Sequence, residues 1–137
     1  MGKITKGSHQ KLNVTEQARK RIMVGLGWDP AEKPSFTDKI KKMAGIKHLH
    51  HDLDLFCYYY DDARQYIDLV SAEPGKTVNA DSTIYHSGDN EEGYGEGDDE
   101  EISVELRDLD KNIVHLIFKT EVRTGHSFDE ISAPAMR

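Results

Sequence analysis

Short apolar runs, and stretches where apolar and polar positions alternate with the period of two that marks half-buried strands, recur along most of this chain. Leu12 and Val14 sit between polar neighbours and predict a first short strand over residues 11–15. Arg21 to Asp29 is a compact apolar run closed by Asp29-Pro30, and it predicts a buried strand. Leu55 to Tyr60 is aromatic and apolar, and Gln65 to Val70 returns after an Asp61-Asp62 turn. Ser82 to His86 predicts a short strand, Glu101 to Leu106 alternates through Ile102, Val104 and Leu106, and Ile113 to Val122 predicts a largely buried strand. Turn chemistry separates them at Pro74-Gly75-Lys76, Asp108 to Asn112 and Thr124-Gly125-His126, after which Phe128 and Ile131 are expected to pack. Many short strands at regular spacing predict an all-β fold, a β-sandwich of two antiparallel sheets.

One stretch breaks the period. Ser35-x-x-Asp38 resembles a capping box, and Phe36, Ile40 and Met43 then share one helical face before Gly45. These residues predict a short helix from Phe36 to Ala44 in an insertion between strands. Lys39, Lys41, Lys42 and Lys47 surround its apolar face. A basic amphipathic helix of this kind more often caps a fold than lies on a membrane surface, which is the lesser alternative. His48, His50 and His51 follow without a closed set of four ligands, so zinc is also the lesser reading.

The 137 residues suit one domain. Without an apolar run of spanning length or a signal-peptide pattern, the expected location is the cytoplasm. The single cysteine, Cys57, excludes an internal disulfide framework and is expected to pack as a small hydrophobe. Charge is unevenly spread. Residues 1–50 carry eleven Lys/Arg against four Asp/Glu, and residues 51–137 carry seven against twenty-one, for a net charge of −7. Mutual attraction of the two halves accounts for this more simply than a nucleic-acid surface does.

Most of the acid lies in one loop. From Gly88 to Glu101 there are eight carboxylates and four glycines, and no lysine or arginine occurs between Lys76 and Arg107. Like charges at this density repel unless a counter-charge is present, and glycines let carbonyls and carboxylates turn toward one point. Calcium takes six to eight hard oxygen ligands in flexible geometry, whereas magnesium demands a strict octahedron and is the second choice. The order Asp89-Asn90-Glu91-Glu92-Gly93 does not follow an EF-hand, and Gly93 to Asp98 lacks the further copies a calcium-binding β-helix needs. Two readings stay open on spacing alone: a calcium site and a solvated acidic loop. Asp52 and Asp54, two apart in an extended segment, turn both carboxylates to one face and could add oxygens to the same ion.

With these residues in view, the chain resembles the TerD family of calcium-binding tellurium-resistance and stress proteins. The resemblance is carried by Lys6-Gly7 with Leu12-Asn13-Val14-Thr15, by Gly25-Leu26-Gly27-Trp28-Asp29 and by Asp52-Leu53-Asp54. It continues through His86-Ser87-Gly88-Asp89-Asn90, Gly93-x-Gly95-Glu96-Gly97-Asp98-Asp99-Glu100 and Thr124-Gly125-x-Ser127-Phe128-x-Glu130-Ile131. It covers nearly the whole chain except roughly residues 30–51. The resemblance implies a β-sandwich that binds two calcium ions through the Asp-x-Asp segment and the acidic loop. On that basis Asp52, Asp54, Asp89, Asn90, Glu96, Asp98, Asp99 and Glu100 are expected as side-chain ligands, and Gly93 and Gly95 as carbonyl ligands.

Two positions depart from the family pattern. Tyr94 stands where relatives often carry another residue, and family domains usually continue for several strands beyond the point matching Met136-Arg137. The chain therefore reads as a single domain over residues 1–137, either a short member or a fragment. Its open sheet edge is expected to be covered by a second copy or by a compact rearrangement of the C-terminal segment. The function the resemblance implies is a non-enzymatic stress-response module whose calcium-ordered loop meets other stress-response proteins or itself. The alternative is a metal-dependent phosphatase or nuclease built on the same carboxylates, with His86 as the only nearby base.

Overall fold

The computed structural model describes residues 4–11, 21–29, 40, 43, 44, 51–90, 93 and 97–137. Seven strands make up the described fold: β1 (Ile22–Asp29), β2 (Leu53–Tyr60), β3 (Tyr66–Val70), β4 (Ile84–His86), β5 (Glu100–Val104), β6 (His115–Val122) and β7 (Ser132–Met136). They form a four-stranded sheet in the order β4-β5-β1-β7 and a three-stranded sheet in the order β3-β2-β6, with every pairing antiparallel.

Alternation builds the layer between the sheets. Leu53, Leu55, Cys57 and Tyr59 point inward from β2. They meet Leu26 and Trp28 of β1, Ile84 of β4, and Ile102 and Val104 of β5. Val104 lies opposite Ile22 on one side and Ile84 on the other, so the apolar positions of three neighbouring strands fall in one row. Cys57 is fully buried, and burial pushes its thiol up to about 12, which leaves it an inert packing residue.

Two strands are less buried than their composition predicts. In β1 only the second half, from Gly25, is covered, and Met23 is exposed. β6 was expected to be largely buried, but its residues alternate between exposed and half-buried, with Ile117 turned outward. The reason is position: among the described strands β6 has only β2 beside it, so one face and one edge face away from the core.

The C-terminal segment takes the compact course. Phe128–Glu130 form one 3-10 turn, entered as the Ser127 N–H donates to Glu130 Oε2 at 2.7 Å. Ile131 then enters the core, and burying such a side chain stabilises by about 2 kcal/mol. Phe128, expected to pack with it, stays half exposed. β7 pairs with β1 through Leu26–Met136 and Gly27–Ala135, and Gly25 and Arg137 exchange two backbone hydrogen bonds at 2.9 Å.

The strand expected near Leu12 and Val14 lies outside the described residues. So does most of the helix expected from Phe36 to Ala44. Of that span Ile40, Met43 and Ala44 are described, with the Ala44 N–H donating to the Ile40 carbonyl at helical spacing. No helix among the described residues is long and apolar enough to cross a membrane.

Candidate metal centre

The segment Asp52-Leu53-Asp54 enters β2 with Leu53 in the core, which turns both acids away from it. Across from them the loop after β4 brings in Asp89. One carboxylate oxygen from each of Asp52, Asp54 and Asp89 lies within 4.8 Å of the others. Two oxygens each about 2.4 Å from one calcium ion span up to that distance, so the donor set fits a hard divalent cation. Asp54 is only 8% exposed. Its carboxyl is pushed from 3.8 up to about 6, first by burial, then by the charge of Glu100 and more weakly by Asp89. Arg123 and, less strongly, His86 act in the opposite direction.

Arg123 is the residue sequence reasoning missed. Its Nε lies 3.0 Å from Asp54 Oδ2, placed there because Leu53 pairs with Val122 and the Arg123 N–H donates to the Asp52 carbonyl. Its other contact is Glu121, at 3.4 Å. The guanidinium therefore occupies an oxygen that a bound cation would also use. The only signal in the sequence is an arginine just before Thr124-Gly125, which means nothing until β6 is known to lie beside β2.

Beneath the three aspartates sits Glu100, fully buried. Its Oε2 accepts the Leu55 N–H at 2.8 Å and meets His86 Nε2 at 3.1 Å, and its Oε1 accepts the Asn90 N–H at 3.3 Å. The Gly88 N–H donates to His86 Nδ1 at 2.9 Å. Nδ1 is thus an acceptor, and the ring proton sits on Nε2, pointing at Glu100. Both nitrogens are engaged and the side chain is buried, so His86 is not placed to act as a base on a substrate.

The remaining expected ligands hold the loop against β1. Asp99 Oδ2 accepts the Trp28 N–H at 2.9 Å, its Oδ1 accepts from Asn90 Nδ2 at 3.2 Å, and its own N–H donates to the Leu26 carbonyl at 2.8 Å. Asn90 Oδ1 accepts the Gly93 N–H at 3.0 Å. Asp98 pairs with Arg137 and lies over Gly25, where any Cβ would strike its carboxylate. The Gly-Leu-Gly-Trp-Asp run thus gives the loop a bare strand face on which to lie. Gly95 and Glu96, also expected as ligands, fall outside the described residues. Of the expected set, three acids converge on one point and four residues, Asn90, Asp98, Asp99 and Glu100, bind to the scaffold.

On the other side of Asp52, Thr124 Oγ1 lies 2.8 Å from His126 Nδ1, and the His126 ring packs edge-on to His51 at 4.6 Å. The His51 carbonyl accepts the Trp28 indole N–H at 3.0 Å. His51 is therefore built into the scaffold, while His48 and His50 lie outside the described residues.

Gly93 closes the loop over Trp28 with φ +69°, and a Cβ there would enter the indole ring. Gly93→Ala should destabilise the protein by at least about 2 kcal/mol, from left-handed strain and overpacking together. It should also red-shift Trp28 fluorescence as the ring is displaced. An unchanged denaturation midpoint and spectrum would contradict this packing.

The sequence matches the family described as TerD domain over residues 1–137. It is 31% identical over 141 residues to the tellurium resistance protein TerX of Serratia marcescens, covering 93% of this chain and 65% of that protein. It is 31% identical over 131 residues to tellurium resistance protein TerZ of the same organism, covering 96% of this chain and 65% of that protein. The chain thus spans about 65% of the length of these relatives. Both are named as resistance proteins. The crystal structure of a homologue of telluride resistance protein (TerD) from Streptomyces coelicolor A3(2) shares the fold. It superposes with a TM-score of 0.62 at 24% identity, over 85% of this chain and 63% of that one.

Proposed function

This chain belongs to the TerD domain family, and from that premise we propose that it is a calcium-binding, non-enzymatic stress-response module whose acidic loop is ordered by the ion. The observation that carries this reading is the convergence of Asp52, Asp54 and Asp89 beside a loop otherwise pinned to β1 and Glu100. Three carboxylates drawn together oppose the fold by mutual repulsion, and a divalent cation reverses the sign of that interaction. A second ion would draw on the rest of the expected set, Asn90, Glu96, Asp98, Asp99, Glu100 and the carbonyls of Gly93 and Gly95. The ordered loop then presents a fixed surface to partner proteins in the cytoplasm. A hydrolytic reading lacks support in the geometry, because His86 is committed to Glu100 and Gly88.

Calcium should stabilise the metal-free chain. A ligand bound only by the folded state adds about 2.7 kcal/mol at a hundredfold excess over Kd. The melting temperature of chain stripped by EGTA should rise on adding calcium and fall again with chelator. An identical melt with and without calcium would sink the proposal.

The pH dependence has a defined sign. Asp54 has a folded-state value of about 6 against an ordinary 3.8, so between those limits the folded state holds more protons than the unfolded chain. Its contribution is therefore present below about pH 4 and lost as pH rises through 6 in the absence of metal. Calcium replaces the proton, so calcium affinity should fall as pH drops from 7 to about 5. Titrations at the two pH values read this directly, and equal affinities would contradict it.

A further inference from the structure

Among the described residues β6 ends its sheet with only β2 as neighbour. The Arg123 N–H donates back to Asp52 at 2.8 Å, one step beyond the Leu53–Val122 pair. In an antiparallel ladder the positions that bond the neighbour alternate with positions that face away. Leu116, Phe118, Thr120 and Val122 therefore turn their N–H and C=O groups to the open side. The same strand and its approach carry two exposed apolar residues, Val114 and Ile117, at 49% and 53%.

We propose that this edge pairs antiparallel with β6 of a second copy, on a two-fold axis through Phe118, so that two three-stranded sheets become one. This register places the outward-facing side chains of the two strands as follows. An axis at Phe118 pairs its open-side groups with those of the partner's Phe118 and sets Leu116 against the partner's Thr120. The same axis sets His115 opposite the partner's Glu121 and Ile117 against the stem of the partner's Lys119. The exposed Ile117 is then covered, and the acid gains a polar partner. An axis at Lys119 would set Lys119 against its own copy, and one at Ile117 would set Glu121 against the partner's Ile113. Like charges directly opposite one another destabilise a ladder. The strand itself is nearly neutral, since Lys119 and Arg123 flank Glu121. The net charge of −7 is therefore not concentrated at the contact. An open strand edge readily recruits another strand, and this one offers a self-complementary row.

The test uses the whole chain. Sedimentation equilibrium from about 1 to 200 µM should show mass rising toward twice that of the chain, as mass action requires. Ile117→Lys, on the outward face, should weaken association at least tenfold while leaving the far-UV spectrum unchanged. Cysteine pairing reads the register independently of that variant. The double variant Ile117→Cys with Lys119→Cys should form a disulfide dimer on mild oxidation, because opposite residues at non-bonded positions lie within disulfide reach. Each single variant should cross-link much less, and the native Cys57 is fully buried. A monomer at every concentration, as when another segment of the chain covers this edge, overturns the proposal. Efficient cross-linking by either single variant, or association unaffected by Ile117→Lys, overturns it as well.

Discussion

Replacing Glu100 with alanine is expected to destabilise the fold by roughly 3–5 kcal/mol. Glu100 is fully buried, yet it accepts from Leu55, His86 and Asn90. Those contacts tie β2, β4 and the start of the acidic loop to β5. Alanine leaves buried donors without acceptors, and each costs about 1–3 kcal/mol. Glu100→Gln keeps the shape but turns one acceptor end into a donor facing donors, so it should recover only part of the loss. Chemical denaturation reads both variants. A loss below about 1 kcal/mol for Glu100→Ala would mean that the carboxylate does not organise the site.

The second large effect is on the ion. Asp54→Asn and Asp89→Asn should each weaken calcium binding about a hundredfold, or roughly 2.7 kcal/mol, because each removes a charged ligand from a three-acid cluster. Asp110→Asn is the matched control. Asp110 lies in the turn before β6, at the Tyr60 end of β2 and away from Asp54, and an asparagine there still accepts the Asn112 N–H. Arg123→Gln should move affinity the other way, since the ion no longer displaces a guanidinium from Asp54 Oδ2. Equal losses at Asp54, Asp89 and Asp110 would describe a diffuse acidic field and not a site.

How much of this was legible in the sequence depended on whether neighbours mattered. β2 was readable because its aromatic and apolar run, Leu55 to Tyr60, favours a strand on its own, and Leu53, Leu55, Cys57 and Tyr59 then form one face whatever lies beside it. The Asp-x-Asp geometry followed from the same period. β6 was misread as largely buried because its apolar content is high, while exposure is set by having one neighbour in place of two. β7 carried no strand signal at all. Ser132-Ala-Pro-Ala-Met136 is poor in β-formers, and Pro134 suits an edge, so the pairing with β1 is a tertiary decision.

In the acidic loop the residue types were readable but their division of labour was not. Glu100 and Asp89 look alike in an acidic run, yet one is fully buried and the other exposed. Which acid braces and which is offered to an ion depends on where β4 and β5 place the loop ends. The Asp54–Arg123 pair is equally a consequence of strand register.

In the proposed site Asp52, Asp54 and Asp89 hold one calcium ion together. The most direct measurement follows the side-chain carboxyl carbons of labelled, metal-free protein by NMR as calcium is added. The Asp52, Asp54 and Asp89 signals should shift and saturate together, while Asp110 does not move. Saturation at other carboxylates with these three unmoved, or no saturable change at any of them, would contradict it.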